Sequence, residues 1–349
     1  MDANRKFVVL GGVGAIGRVV VRDLFESHPQ NRILIADFNG KAAREYARSL
    51  RGSRVRAAFA DASRPVELAR LFRGHSVVIN CTQHDFNLRV MQAALRAHIH
   101  YVDLGGLFHW TRKQLKLHRQ FKLAGLTAVL GMGCAPGITN VMTRAAAEKL
   151  GCIRSVKIRV GSIDFNPSPG FPYSVQTIME ELMLTAWIVK AGQFREVKPR
   201  TSWELVKFPK PVGARWVVRT RHSEVATLPV SFKLRQCDFK VSFDRQFVRD
   251  AIAGKIPSRP ALRSRPDDYE IARVIVDGKL VLDCHAKANM RWRASAGDID
   301  TGCPPSIVAQ MVATGLIAQR GVLPPEVAVP VEPFFKELKR RGMRIEVHS

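Results

Sequence analysis

The chain predicts a doubly wound parallel α/β sheet followed by a second α+β domain, and three features of its first third carry that prediction. Strand-like and helix-like patterns alternate regularly. An apolar run, Val8-Val9-Leu10, enters the spacing G-x-G-x-x-G at Gly12, Gly14 and Gly17. A second buried-strand pattern, Ile33-Leu34-Ile35-Ala36, closes on an acid, Asp37. Strand, glycine turn and helix start in this order, with an acid at that offset, form the fingerprint of a dinucleotide site of the Rossmann kind. The second glycine lets the backbone approach a pyrophosphate, and the third lets helix and strand pack closely. The amides that open the helix, at Gly14, Ala15, Ile16 and Gly17, offer the phosphates free donors and a positive dipole end.

The remaining elements follow in order. Strands are predicted at Val55–Phe59, Ser76–Asn80, Ile99–Asp103 and Leu126–Leu130, with amphipathic helices over 41–51, 64–72, 87–98 and 110–123. Alternation of this kind gives a parallel sheet covered on both faces, with the ligand beyond the carboxyl ends of the strands. The residues expected to face that crevice are Gly12, Asp37, Asp61, Asn80, Cys81, Thr82 and Asp103. After Leu130 the texture changes to a Gly/Pro-rich break, Gly131–Gly137, then a helix over Thr139–Leu150 and a strand over Ser155–Gly161. A proline-rich loop over 166–172 reads as a binding loop or lid, and a strand returns at Asp238–Phe243. Val274–Leu282 reads as a hairpin around Asp277-Gly278, a pair suited to a type I′ turn. Helices near 304–320 and 332–342 close the chain. The predicted division is a dinucleotide domain over 1–130, a substrate domain over 131–303, and a C-terminal return over 304–349 packed on the first domain.

Composition bounds the function classes. With 349 residues, 46% hydrophobic and 24% charged, the chain suits two domains with substantial cores. No apolar stretch reaches the length of a membrane span, and Met1-Asp2-Ala3-Asn4-Arg5-Lys6 leads directly into the first strand, so a cytoplasmic protein without membrane contact is expected. The six cysteines are scattered, which favours reduced thiols over disulfides or structural zinc. A net charge of +25 invites a nucleic-acid reading, yet Lys and Arg are spread over nearly every segment with no basic tail. A generally anion-attracting surface, without specific nucleic-acid binding, is the expectation.

Several segments together resemble the saccharopine dehydrogenase family: the glycine motif, Val77-Val78-Ile79-Asn80, Tyr101-Val102-Asp103-Leu104-Gly105-Gly106, Gly133-Cys134-Ala135-Pro136-Gly137-Ile138-Thr139-Asn140, and the tail Ala313–Ile317 with Arg320–Glu326. Within it the chain is most similar to the lysine 6-dehydrogenase branch. The resemblance implies an NAD- or NADP-binding Rossmann domain and a second domain that presents an amine-bearing amino acid to the nicotinamide. Ala135 stands where the saccharopine reductase branch carries an aspartate, so no role of that carboxylate carries over.

Oxidising a C–N bond by hydride transfer needs a neutral amine, hence a base near neutral pKa or a desolvated site. His222, with Glu224 to orient it, is the expected base. Asp103 is expected to pair with a substrate ammonium, Tyr173 and Arg245 to touch the substrate amine and carboxylate, and Cys134 to face the substrate through its backbone. Glu180 and Glu181 read as a solvated helix face. Asp37 is placed to hold the adenine ribose and repel a 2′-phosphate, which predicts NAD over NADP unless Asn39, Lys41 and Arg44 turn inward. The apolar 304–320 helix and the Leu323-Pro324-Pro325 turn suggest a homodimer. Two other classes stay open at this stage: a non-catalytic dinucleotide sensor, and a basic nucleic-acid-associated protein.

Overall fold

The computed structural model describes residues 5–105, 107–166, 174–255 and 266–348. The chain forms two units: Met1–Gly133 with Thr301–Pro330, and Cys134–Asp300 with Val331–Ser349. In chain order the first run holds β1 (Lys6–Leu10), α1 (Ala15–Ser27), β2 (Arg32–Asp37), α2 (Gly40–Ser49), β3 (Val55–Phe59), α3 (Pro65–Phe72), β4 (Val77–Asn80), α4 (Asn87–Ala97), β5 (His100–Asp103), α5 (Phe108–Leu115), α6 (His118–Leu123) and β6 (Thr127–Val129). Next come α7 (Ile138–Leu150), β7 (Ser155–Asp164), α8 (Val175–Met183), β8 (Ala186–Lys190), β9 (Gln193–Val197), β10 (Glu204–Lys207), β11 (Ala214–Arg219), α9 (Glu224–Phe232), β12 (Gln236–Ser242), α10 (Arg245–Ile252), β13 (Asp268–Val276) and β14 (Leu280–Lys287). The chain closes with α11 (Ala296–Ala313), β15 (Gly321–Leu323), α12 (Pro325–Ala328), α13 (Val331–Arg340) and β16 (Arg344–His348).

In the first unit, seven strands pair in parallel in the order β15-β6-β5-β4-β1-β2-β3. Val8, Val9, Val77, Val78 and Ile79 are fully buried, as strands covered on both faces must be. The order reverses between β1 and β4, so their carboxyl ends form the switch point where such sheets bind ligands. Local chemistry sets the boundaries: the Asn39 side chain accepts from the Ala42 amide to start α2, Pro65 opens α3, and His98 ends α4 in the left-handed region. The predicted helix over 110–123 is two helices, α5 and α6, and the His118 ring meets the Val322 carbonyl at 2.9 Å, turning α6 onto β15. A Cβ at Gly321 would come 2.5 Å from that ring, which ties this contact to a glycine.

In the second unit, nine strands form a mixed sheet in the order β10-β11-β12-β7-β13-β14-β16, with β8 pairing to β12 and β9. The predicted hairpin is β13–β14, and Asp277 (φ 52°) and Gly278 (φ 65°) take the two left-handed positions that a type I′ turn needs. α7 lies against β13 and β14, and α9 against β12 and β8. The C-terminal tail divides where the sequence reading kept 304–349 whole. Thr301–Pro330 clusters with the first unit, where Ser306 donates to the buried Asp23 at 2.6 Å, whereas Val331–Ser349 clusters with the second, where β16 pairs with β14 and α13 rests on α7. β15, three residues long, is too short for periodicity to announce. The 166–172 loop lies outside the described residues apart from Asn166.

Candidate functional site

The β1–α1 turn is built by steric exclusion. A Cβ on Gly17 would lie 2.1 Å from the Gly11 carbonyl oxygen, and one on Gly12 would lie 2.9 Å from Ile35 Cγ2. At Gly14 the nearest atom would be 3.4 Å away, so the protein itself does not require glycine there. That is the cradle a pyrophosphate needs: closed packing at the first and third positions, open backbone at the second. No side chain caps α1 and no acid lies in its first turn, so the opening amides at Ala15 and Ile16 are left for an anion. Gly11, in the left-handed region at φ 78°, approaches the Cys81 backbone so closely that a Cβ would meet it at 2.9 Å. The ends of β1 and β4 are therefore adjacent.

The acids and amides around this turn mostly hold it in shape. Asp37 accepts from the Val13 amide at 3.1 Å and the Asn39 amide at 2.9 Å, joining the end of β2 to the glycine turn. Asn80 is buried; it donates to Asn87 at 2.9 Å and accepts from the Thr82 hydroxyl at 2.7 Å, which fixes the Cys81–Thr82 backbone. Burial pushes the Cys81 thiol well up, so it stays protonated. Asp61 accepts from the Ser63 hydroxyl at 2.6 Å and its amide at 2.8 Å; these bonds, against a small burial effect, hold its carboxyl below its ordinary value.

The expectation that Asp103 meets a substrate ammonium is corrected by its surroundings. Its carboxylate is 1% exposed and accepts from the Gly131 amide at 2.7 Å, the Gly105 amide at 2.9 Å, Gln114 at 2.6 Å and the Tyr101 hydroxyl at 2.8 Å. Four donors use its lone pairs. Asp103 anchors the end of β5 to the segment that begins at Gly131, and the Met132 amide adds a bond to its carbonyl at 2.8 Å.

In the second unit the sequence reading named Cys134 but missed the two acids beside it. The Cys134 sulfur and one carboxylate oxygen each of Glu270 (β13) and Asp300 (α11) lie within 4.8 Å of one another. Cys134 and Asp300 are buried and Glu270 half-buried. Burial, with Asp268 and Asp298 nearby, pushes Glu270 up to about 7 despite its hydrogen bonds to Asp300 and Cys134. Burial and the neighbouring Glu270 likewise raise Asp300. Two carboxyls this close titrate as a pair and share a proton near neutrality. Burial also raises the Cys134 thiol, which stays neutral beside them.

His222 is buried and pinned. Its ring stacks on Phe239 at 3.6 Å, Nδ1 bonds Glu224, and Nε2 faces Glu181 at 3.9 Å. Glu224 in turn accepts from the Thr139 hydroxyl at 3.0 Å. Burial pulls the imidazole pKa down, but the paired charge of Glu224 and the charge of Glu181 outweigh it, so the pKa of His222 is raised. Glu181 is 3% exposed, not part of a solvated face. Carboxylates thus face both ring nitrogens of His222, Glu224 at Nδ1 and Glu181 at Nε2. Arg245 is exposed at the start of α10, its guanidinium 4.5 Å from the Trp216 ring and 5.3 Å from Trp203, so its head is held where an anion can reach it. Tyr173 lies outside the described residues.

Sheet order, glycine turn and strand-end acid define the first unit as an NAD(P)-binding domain of the dehydrogenase type. Residues 7–129 match the family model of the saccharopine dehydrogenase NADP binding domain. The chain is similar to a carboxyaminopropylagmatine dehydrogenase of Synechocystis sp., 23% identical over 263 residues that cover 69% of this chain and 63% of that protein. It is also similar to a carboxynorspermidine synthase of Vibrio cholerae, 24% identical over 186 residues, 49% of this chain and 44% of that protein. The matches thus span less than two thirds of the length of these curated relatives. Among solved structures, the fold is shared with saccharopine dehydrogenase (L-Glu forming) from Saccharomyces cerevisiae, at 14% identity and TM-score 0.72 over 99% of this chain and all of the other. It is shared also with homospermidine synthase from Legionella pneumophila in complex with NAD, at 13% identity and TM-score 0.76 over 98% of this chain and 91% of the other. Among the described residues no helix is long and apolar enough to cross a membrane.

Proposed function

We propose that the protein is an NAD(P)-dependent oxidoreductase acting on the C–N bond of an amine that also carries a carboxylate, such as a lysine- or saccharopine-like amino acid or a carboxylated polyamine. The observation that carries this reading is the acid cluster of the second unit. In a chain of net charge +25, Asp268, Glu270, Asp298 and Asp300 gather on β13 and α11, and one of them, half-buried Glu270, titrates near 7. Such a site attracts a cationic amine and can take the proton that must leave before a C–N bond is oxidised. The names of the curated relatives, both of which denote carboxylated amines, support the polyamine side of this class.

Gly14, Ala15 and Ile16 would hold the pyrophosphate and Asp37 the adenine ribose, with the Asn80-fixed backbone of Cys81 and Thr82 beside them; NAD(P), when bound, supplies the hydride acceptor or donor. Glu270 accepts the ammonium proton and Asp300 shares it; Cys134 stays a neutral neighbour whose small side chain leaves room for substrate. Arg245 would pair the substrate carboxylate. His222, with Glu224 and Glu181 at its ring nitrogens, is set aside as the base. Asp37 favours NAD, because a 2′-phosphate beside it is repelled; tighter NADPH than NADH binding would overturn that choice. We also propose a homodimer, which sedimentation at micromolar concentration tests.

The test is a screen of lysine, saccharopine and carboxylated polyamines with NAD or NADP at alkaline pH, followed by absorbance of the reduced nucleotide. Turnover with at least one carboxylated amine is expected. Nucleotide binding without turnover on any of them would instead favour a non-catalytic sensor.

A further inference from the structure

A cavity of about 250 Å³ lies wholly within the second unit, and its chemistry is the opposite of the acid cluster's. It opens between the end of β14, the turn 288–290, the first turn of α11 and the turn from α13 to β16. Lys287 and Arg341 are its charged lining residues, and no acid lines it. Arg341 is already engaged, donating to the Glu337 carboxylate at 2.6 Å and to the Glu337 carbonyl at 3.0 Å. Lys287 is exposed, and its ammonium has no partner among the described residues. The Asn289 side-chain oxygen accepts from the Trp292 amide at 3.0 Å, while its NH₂ group is likewise without a partner among the described residues. The rest of the wall is largely aliphatic, with Met290, Ile299 and Met343. One unpaired cation, one unpaired amide donor and an apolar wall thus share a single concavity.

We propose that this cavity binds a small aliphatic monocarboxylate, at a site separate from the one that takes the amine. One free ammonium matches one anionic head, through a charge-assisted hydrogen bond that the Asn289 amide supplements. An amine finds no acceptor carboxylate on this lining. A phosphate would use the donors and leave the aliphatic wall wet, whereas a short hydrocarbon tail takes Met290, Ile299 and Met343 surface out of water. A net charge of +25 makes exposed lysines common, but here the lysine shares a cavity with a second unpaired donor and no acid. The occupant would touch Ile299, the residue before Asp300, and Lys287, the register partner of Tyr269, which precedes Glu270. It would therefore bear on the elements that carry the acid pair. The cavity stands on its own lining, so its failure to bind leaves the reading of that acid pair untouched.

The experiment titrates pentanoate into the full-length protein by calorimetry, with carbon-labelled methionine methyl groups to place it by NMR. Saturable binding is expected, with shifts concentrated on Met290 and Met343 among the nine methionines. Lys287→Glu should weaken binding by about tenfold or more, and Lys287→Arg should retain it. Met290→Asp, which adds an acid to the wall, should weaken it as well. Both positions are exposed, so thermal melting should barely move in either variant. Lys279→Glu makes the same charge change in the turn before β14, about 26 Å along the strand, and should leave affinity unchanged. No saturable binding of pentanoate, unchanged affinity in Lys287→Glu and Met290→Asp, or an equal loss in Lys279→Glu would overturn the proposal. Pentylamine or inorganic phosphate binding as tightly as pentanoate would overturn the ligand class.

Discussion

At Asp103 and Glu270 the residue scale shows how burial sorts acids into different work. Asp103 accepts four hydrogen bonds and has no lone pair to spare, whereas Glu270 is half-buried and shares a proton with Asp300. Asp103→Asn should therefore destabilise the fold by about 1–3 kcal/mol, because its new amide faces donors, while turnover per folded molecule stays near wild type. Denaturant unfolding and active-site-normalised rates check this; a collapse of kcat without loss of stability would return Asp103 to the chemistry. Asp103 was visible in sequence as a strand-end acid, but its partners Gln114 and Gly131 lie 11 and 28 residues away. Glu270 and Asp300 left a fainter mark. Glu270 is in phase along β13 with buried Ala272, Val274 and Val276, and Asp300 is in phase along α11 with buried Cys303 and Ile307. Acids on core-facing positions signal a built site, although nothing in the sequence tells that the two meet.

At the scale of elements, the glycine turn was fully legible because its requirement is local. Gly17 is needed for packing and Gly14 is not. Gly17→Ala should unfold the turn and lower the melting temperature, whereas Gly14→Ala should melt like wild type yet bind NADH at least tenfold more weakly. Calorimetry of both variants separates the two roles, and equal NADH affinity in Gly14→Ala would move the pyrophosphate elsewhere. The strands between Ala186 and Arg219 were not legible, because short edge strands such as β9 and β10 are half polar and owe their pairing to distant partners. Glu181 belongs to the same lesson: α8 is amphipathic, but the side that seemed solvated carries an acid facing His222 across 41 positions of chain.

For the whole molecule the shifted groups pull stability with pH in opposite directions, lowered histidines such as His100 and His285 one way and the raised acids of the second unit the other. Glu270 and Asp300 bind their proton more tightly folded than unfolded, so their contribution is present at low pH and is lost as pH rises, for Glu270 from about 4.5 through about 7. His222, also raised, loses its contribution as pH climbs past its folded value, above 6.5. Denaturant unfolding should thus show the second unit more stable at pH 5.5 than at pH 8, and Glu270→Gln should flatten that slope; a steeper slope in the variant would contradict the assignment. The central claim is that Glu270 takes the amine proton during C–N oxidation, and its most direct test is the pH–rate profile of nucleotide reduction with the best carboxylated amine. Wild type should show a rise in kcat through about pH 7, and Glu270→Gln should lose that step and about 100-fold or more in kcat with NAD(P) affinity unchanged. A Glu270→Gln profile superimposable on wild type would contradict the account.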